Sequence, residues 1–301
     1  MKKALSMGIL ASAVFSFTFI LNKTMNLSGG SWYWSAILRY VFMLPILYFV
    51  LGKAKVRVAL DEIKANRKAW YLWSIVGFGL FYTPLALASE FGESWLVAGT
   101  WQITMVTGAF MAPLFGGKIP FKNILVCMFV LVGVFLMQYD NASSVSLQNS
   151  IYCILSITVA AICYPLGNRK TMVLSGGRLS TTQRVFNMTL CSMPFWILLS
   201  VIALFRVGAP SGNQIFQSIL VAIFPGVIAT LLYFGATDLV RDNQRNLAVV
   251  EATIAGEVIF TLIGGVLIAG DSLPSAVGFV GLLIVTVGMI LNSLVGREKA
   301  N

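Results

Sequence analysis

The stretch Lys23–Gly30 reads KTMNLSGG, and the stretch Lys170–Gly177 reads KTMVLSGG. Seven of the eight positions are identical, the two copies lie 147 residues apart, and each follows an apolar run. A lysine in a last helical turn followed by Gly-Gly is also an ordinary helix-ending signal, so two unrelated helix ends could converge on it. The degree of identity favours an internal duplication, which predicts that the rest of the two halves also align.

The composition of the 301-residue chain indicates an integral membrane protein. Its mean hydropathy is +0.86, and 58% of its residues are hydrophobic whereas only 11% are charged. A water-soluble domain would have too few polar groups to cover its surface. The chain has no histidine, the commonest general base and metal ligand. The cysteines show no CxxC spacing and all lie in apolar runs, which favours buried thiols over disulfides: Cys127, Cys153, Cys163 and Cys191. We expect no metal or other cofactor.

The chain contains ten apolar stretches, each long enough, at roughly 18 to 24 residues, to cross the hydrocarbon core of a bilayer. The sequence therefore predicts an all-α integral membrane protein with ten transmembrane helices. The predicted spans, numbered one to ten in chain order, are Leu5–Leu21, Trp32–Gly52, Ala69–Ala88, Trp95–Phe115, Phe121–Gln138, Ile151–Leu166, Thr182–Phe205, Gln214–Ala236, Leu247–Ala269 and Pro274–Leu294.

The distribution of basic residues predicts the orientation of these spans. With the amino terminus in the cytoplasm, 17 of the 21 Lys and Arg residues fall in cytoplasmic segments. Short loops rich in Lys and Arg stay inside, so we predict a multi-pass protein of the cell membrane with both termini cytoplasmic. The basic link 53–68 is expected to be a connector that fixes this topology, with anionic lipid binding as the alternative.

Placing the repeat boundary near Ser150 gives residues 1–149 and 150–301 five spans each. Because five is odd, the second copy enters the membrane from the opposite face, which defines an inverted-topology repeat. The two octets agree with this arrangement, since Lys23 then lies outside and Lys170 inside.

Two pairs of residues extend the predicted duplication into later spans. Arg39 in span two pairs with Arg184 in span seven when two residues of slippage are allowed, and Tyr82 in span three pairs with Tyr233 in span eight at an offset of 151. The consistent order of such pairs along both halves favours the duplication more than any single identity does.

Several stretches resemble the ten-helix branch of the drug/metabolite transporter (DMT) superfamily, whose members carry two EamA-type five-helix halves. They are FTFILNK (17–23), Arg39, EVIFTLIGGVLIAGD (257–271), and the closing helices VLVGVFLM (130–137) and IVTVGMIL (284–291). The multidrug resistance efflux transporters are a candidate family within this branch. The chain departs from the family pattern in having Val258 where proline is usual, and in having no acid at 102–103 of the first half.

The resemblance implies a binding site near the midplane, between two halves that open alternately to each side. Such a pocket requires aromatic walls and a few oriented polar groups. The candidates are Tyr82, Trp101, Gln102, Tyr233, Glu251 and Glu257. Simple core or lipid packing is the alternative interpretation of each aromatic residue.

The two glutamates of span nine are the strongest indication of chemistry, because a carboxylate within a membrane helix is costly and usually functional. Glu251 and Glu257 are six residues apart, or about 120° around a helix, so at most one should face the cavity. Glu257 matches the acidic position of the family and is the first candidate for a group that exchanges a proton for a cationic substrate. Alternatively, Glu257 caps a neighbouring helix or pairs with Arg39 or Arg184.

Arg39 and Arg184 suggest a different ligand. Two symmetry-related guanidinium groups could bind the carboxylate or phosphate of a metabolite. They could equally pair across the halves or extend to the lipid headgroups.

The sequence thus predicts a monomeric secondary active transporter that exports drug-like or cationic small molecules by alternating access in exchange for protons. The alternative substrates are amino acids or related metabolites. Its partners are the small molecule, protons and the lipid bilayer, with no nucleic acid. An enzyme is not expected, since the chain has no histidine and no paired acids within a predicted loop. No GxxxxGK[ST] loop is present to drive an ATP-dependent pump.

Overall fold

The computed structural model describes residues 1–115, 121–144, 146–240, 249–250 and 252–295. All regular structure in these residues is helical, and seven helical segments are long and apolar enough to cross a membrane. Two shorter apolar segments, Thr253–Ala269 and Ala276–Leu291, follow near the end of the chain. The prediction of an all-α, multi-pass membrane protein is confirmed.

The helices of the first half correspond to predicted spans one to five. They are α1 Lys2–Leu27, α2 Trp32–Ala65, α3 Arg67–Ser74, a π-helical segment Ile75–Gly79, α4 Leu80–Ala88, α5 Ser94–Trp101, α6 Ile103–Phe110, a 3-10 turn Ala112–Phe115 and α7 Phe121–Ser144. Span three combines α3, the π-helical segment and α4, and span four is divided between α5 and α6.

The helices of the second half correspond to predicted spans six to ten. They are α8 Leu147–Ser175, α9 Thr181–Val207, α10 Gly212–Val221, a π-helical segment Ala222–Ile228, α11 Ala229–Asp238, a 3-10 turn Ala252–Ala255, α12 Gly256–Gly264, a π-helical segment Gly265–Ala269 and α13 Ala276–Val295. Spans three and eight therefore both contain a π-helical segment near their middle.

The two octets end the first helix of each half, as predicted. After α1, Gly29 adopts a φ of 79°, and after α8, Gly176 adopts the left-handed conformation with a φ of 52°. The next helix then begins at a serine whose hydroxyl accepts a backbone hydrogen bond, Ser31 for α2 and Ser180 for α9. A glycine at the turn and a serine at the following N-cap are the residues that these backbone conformations favour.

Helix α2 bends where span two was predicted to end. Gly52 has φ 73° and ψ 160°, and the chain beyond it remains helical as far as Ala65. This basic segment was expected to be a loop, and that prediction was wrong, since residues 53–65 are helical. Three apolar residues spaced three and four apart are buried on one face of the segment: Val56, Ala59 and Ile63. Apolar residues at this spacing form one stripe of a helix, so burial of the stripe stabilises the segment as a helix.

Helices at corresponding positions in the two halves make corresponding contacts with the other half. Helix α7 packs on α13, α2 packs on α9, and the contact of α4 with α8 has a counterpart in that of α11 with α1. Glycines allow the closest approaches: a Cβ on Gly133 would lie 2.8 Å from the carbonyl oxygen of Gly281, and one on Gly77 would lie 3.1 Å from the Cα of Gly167. The predicted duplication would give this reciprocity, although the inverted relation of the halves stays a prediction.

Links and helix ends form contacts at both ends of the bundle. At the end that holds Met1, Ala4 packs with Ala236, Val240 and Val250. At the opposite end, the Trp34 indole donates to the Gly208 carbonyl at 2.8 Å. The candidate functional residues lie between these two ends.

Candidate functional site

A buried arginine lies at the centre of the bundle. Arg39 of α2 is 9% exposed, and its Cζ lies 4.3 Å from the centroid of the Tyr82 ring and 5.9 Å from that of Tyr40. Nη1 of Arg39 lies 3.4 Å from the hydroxyl of Thr18 in α1. The guanidinium is thus stabilised by aromatic faces and one hydroxyl. Its Nε is buried and has no hydrogen-bond partner in the described part of the chain.

Tyr82 is held in place by an amide from α1. The Tyr82 hydroxyl lies 3.2 Å from Nδ2 and 3.3 Å from Oδ1 of the Asn22 side chain, within hydrogen-bond distance of both atoms. Both side chains are almost fully buried, Tyr82 at 0% exposure and Asn22 at 2%. A polar pair buried in this way orients the Tyr82 ring beneath Arg39.

An aromatic wall continues from Tyr82 toward the second half. The ring of Phe81 lies 5.2 Å from Trp101 and 4.8 Å from Tyr164, and Trp101 and Tyr164 are 5.6 Å apart. On the other side, Tyr40 stacks on Trp196 at 4.7 Å. Tyr164 belongs to α8 and Trp196 to α9, so both halves contribute to the wall.

Glu257 approaches this wall from the first turn of α12 and is 7% exposed. Its carboxylate interacts electrostatically with Arg39, and Tyr164 interacts with Glu257, Arg39 and Arg184. The Thr261 hydroxyl donates to the backbone carbonyl of Glu257 at 2.7 Å. Among the described residues, no side chain or backbone N–H donates a hydrogen bond to the Glu257 carboxylate, so a ligand or a proton can occupy it.

Arg184 reaches the same site by way of Tyr164, with which it interacts electrostatically. Arg184 follows the N-cap Ser180 by four residues, whereas Arg39 follows Ser31 by eight. Measured from these N-caps, the two arginines differ by four residues, or about one helical turn, and their equivalence in the predicted repeat stays a prediction. The Nε of Arg184 is buried and has no partner among the described residues.

The remaining candidates lie at different places. Gln102 is buried at the break between α5 and α6, and its Nε2 donates to the carbonyl of Ala98 at 3.0 Å, so it caps a helix end. Tyr233 packs edge-on against Phe15 with ring centroids 6.3 Å apart. Glu251 lies outside the described residues. The structure thus brings together five candidates, namely Arg39, Tyr82, Trp101, Arg184 and Glu257.

Sequence reasoning missed five members of this cluster: Asn22, Tyr40, Phe81, Tyr164 and Trp196. Asn22 could have been found, because a buried amide in an apolar helix is as uncommon as a carboxylate. The aromatic residues gave no comparable signal, since Phe and Tyr also occur widely on lipid-facing and core positions.

A separate shallow groove is lined by residues such as Leu47, Thr182 and Val227. It lies between α2, α9 and span eight, and none of the candidate residues lines it. No group of three or more His, Cys, Asp or Glu residues that could hold a metal ion occurs in the part of the chain that the structure describes.

A multi-pass helical bundle with charged and aromatic side chains buried at its centre is typical of small-molecule membrane transporters. Comparison with known proteins assigns the family. The family model EmrE, described as "Putative multidrug resistance efflux transporter", matches residues 2–298. The chain belongs to this family of the DMT superfamily, as the sequence predicted.

Two bacterial proteins are similar over most of the chain. The "Uncharacterized protein YjlA" of Bacillus subtilis (strain 168) is 44% identical over 311 residues, covering 99% of this chain and 96% of that protein. The "Uncharacterized 42.1 kDa protein in intracellular alkaline protease 3'region" of Shouchella clausii is 41% identical over 266 residues, covering 85% and 70%. A crystal structure with 12% sequence identity superposes with a TM-score of 0.65 over 99% of this chain and 98% of that one, which shows a shared fold.

Proposed function

We propose that the protein is a secondary active transporter that exports drug-like or cationic small molecules in exchange for protons, with Glu257 as the exchanging group. The observation that carries this proposal is a buried carboxylate that receives no hydrogen bond from the described residues and lies beside an aromatic wall. An aromatic cation could stack on Trp101 and Tyr164 while Glu257 supplies the counter-charge. A proton on Glu257 would remove that charge and release the cation.

Alternating access requires two halves that separate first at one end and then at the other. In support, each end of the bundle has polar contacts between residues 1–149 and 150–301. Glu62 pairs with Arg178 at the end that holds Met1, and the Ser94 backbone N–H donates to Asp271 at the opposite end. We propose that the halves are inverted repeats, that the termini are cytoplasmic in the cell membrane, and that the protein works as a monomer.

The buried arginines favour amino acids or similar zwitterions as a second candidate substrate class. Arg39 and Arg184 each have an Nε–H without a described partner, and both interact electrostatically with Tyr164. A substrate carboxylate could accept from one of these donors while its ammonium group binds Glu257. Such a substrate would satisfy both charges of the site, whereas a simple cation would leave Arg39 without an anionic partner.

Purified protein in liposomes distinguishes these functions. An aromatic cation such as ethidium and a panel of amino acids are supplied in turn, while a pH-sensitive dye reports proton movement. Cation-driven proton flux that is lost in Glu257→Gln supports proton exchange. Unchanged flux in a well-folded Glu257→Gln protein would exclude Glu257 as the coupling group, and amino-acid flux without proton movement would favour the second candidate.

A further inference from the structure

A polar junction joins the two halves at the end of the bundle opposite Met1. The Ser94 N–H at the start of α5 donates to Oδ2 of Asp271 at 2.7 Å, and the Trp95 indole donates to the carbonyl of Ser272 at 3.0 Å. Ser94 and Trp95 belong to the first half, whereas Asp271 and Ser272 belong to the link before α13. Opening of this end requires these contacts to break.

One oxygen of this junction has no donor. Asp271 is 5% exposed, and its Oδ1 is buried and receives no hydrogen bond from the described residues. Glu93 directly precedes Ser94, whose N–H binds Asp271, so the carboxyl groups of Glu93 and Asp271 are neighbours at this junction. Two ionised carboxylates are both acceptors, so a hydrogen bond between the two side chains requires a proton on one of them. A proton on Glu93 supplies a donor for the unpaired Oδ1 of Asp271, whose Oδ2 already accepts from the Ser94 N–H.

Charged and titratable groups from the surrounding helices act on the pair. Lys23 of α1 lies 3.5 Å from Glu93 and also donates to the carbonyl of Gly92 at 3.2 Å. The thiol of Cys153 in α8 lies beneath Gly92. Asp140 of α7 also lies at this end, where it accepts from the Ser275 hydroxyl at 2.5 Å.

The groups around Glu93 raise its affinity for a proton. Burial raises the pKa of the Glu93 carboxyl, and the hydrogen bond to Asp271 raises it further, while Lys23 opposes both effects. A carboxyl whose pKa is higher in the closed than in the open arrangement binds its proton more tightly when closed. Lowering the pH on this side therefore favours closure, and raising the pH favours opening.

We propose that Glu93 and Asp271 together bind one proton when this end of the bundle is closed, and that release of the proton to water separates them and opens the end. The site is distinct from Glu257 and rests on the alternating-access function proposed above. It gives the transporter a proton site at one mouth, in addition to the exchanging group at its centre.

Cys153 provides a native reporter of this opening, since it is fully buried beneath the junction. A variant with Cys127, Cys163 and Cys191 replaced by alanine is reconstituted and treated with a membrane-impermeant maleimide at a series of pH values. Each labelling rate is divided by the rate of the denatured protein at the same pH, which corrects for thiol ionisation. We expect the corrected rate to rise as the pH is raised.

Variants of the pair test the assignment. Glu93→Gln cannot ionise and still donates to Asp271, so Cys153 should stay protected at every pH. Glu90→Gln changes an exposed acid on the same link and should behave as the parent. Lys23→Gln removes the cation that opposes protonation of Glu93, so the rise in the Cys153 labelling rate should occur at higher pH than in the parent. If Glu93→Gln does not fold, Glu93→Asp is used instead. In that variant Cys153 should become accessible to the maleimide at a lower pH than in the parent.

An equal pH dependence in the parent and in Glu93→Gln would overturn the proposal, as would a corrected rate that does not change with pH. The labelling experiment requires no substrate, so its outcome is separate from that of the proposed function. Loss of cation-driven proton flux with normal pH-dependent labelling would reject the function and keep the proton site.

Discussion

Arg178, in the link after α8, donates two hydrogen bonds to Glu62, from Nε to Oε2 at 2.9 Å and from Nη2 to Oε1 at 2.6 Å. This two-point geometry is the strongest form of a carboxylate–guanidinium contact. It ties the helical segment beyond Gly52 to the second half at the end of the bundle that holds Met1. Asn187 and Gln183 of α9 add hydrogen bonds to the carbonyls of Ala59 and Lys55.

The Glu62–Arg178 pair should make stability depend on pH. The hydrogen bond from Arg178 lowers the pKa of Glu62 below its ordinary value of 4.5. A lowered carboxyl pKa contributes stability above that ordinary value, and the contribution is lost as the pH falls through the lowered pKa. Glu62→Gln should therefore lower the melting temperature at pH 7, and the difference from the parent should vanish in acid. Melting curves of detergent-solubilised protein from pH 7 to pH 3 measure this.

Asp61→Asn is the matched control for that experiment. Asp61 pairs with Lys64 on the same helix, and both side chains are more than half exposed. Exposed pairs of this kind contribute little, so the melting temperature should stay close to that of the parent. A loss in Asp61→Asn as large as that in Glu62→Gln would show that the segment responds to charge in general rather than to the contact with Arg178.

The crossing of spans three and six should not tolerate a side chain. A Cβ on Gly167 would overlap the backbone of Gly77. Gly167→Ala should lower the unfolding free energy by about 1–3 kcal/mol, because overpacking forces the helices apart. Gly212→Ala is the control, since nothing lies within 4 Å of its Cβ position. Denaturant titration of both variants measures the difference, and equal stabilities would contradict the close crossing.

The hydroxyl of Tyr82 should contribute to stability through Asn22. Tyr82→Phe removes the hydrogen bond and leaves a buried amide unsatisfied, which should cost about 1 kcal/mol, the usual contribution of such a bond. Tyr71→Phe changes a ring that is 40% exposed and should have no measurable effect. The unfolding free energies of Tyr82→Phe, Tyr71→Phe and the parent protein measure this difference. A Tyr82→Phe protein as stable as the parent would mean that the pair does not fix the ring.

Trp101 should contribute directly to substrate affinity. Trp101→Ala removes part of the aromatic wall, and loss of such a contact costs about 0.5–1.5 kcal/mol, or roughly 2- to 13-fold in the dissociation constant. Phe205→Ala alters a ring that is 87% exposed and should leave binding unchanged. Fluorescence titration with ethidium measures both. Equal affinities would place the aromatic cation elsewhere in the bundle.

The helices and their limits could largely be read from the sequence, because the bilayer demands long apolar segments and each helix end needs a cap. The octets ended α1 and α8 as predicted, and Gly52 marked the end of span two. The helix beyond Gly52 was missed, because its buried stripe is embedded in a strongly basic segment that resembles a loop.

The candidate site was only partly predictable. Charged residues within apolar runs gave Arg39, Arg184 and Glu257, and these do meet around Tyr164. The depth of a residue along its helix was harder to predict: Arg39 and Arg184, paired in the predicted repeat, lie eight and four residues after their N-caps. Tyr164 and Phe81 gave no signal, since an aromatic residue in a membrane helix has the same sequence context whether it faces lipid or substrate.

By itself, the sequence determined the class of the protein, the number of predicted spans and the charges that the membrane must accommodate, because these follow from local hydrophobicity and from the cost of burying a charge. Only the tertiary structure decided which distant side chains meet. Glu93 and Asp271 are 178 residues apart in the sequence. Their contact arises from the packing of whole helices against one another, a property that no stretch of sequence contains.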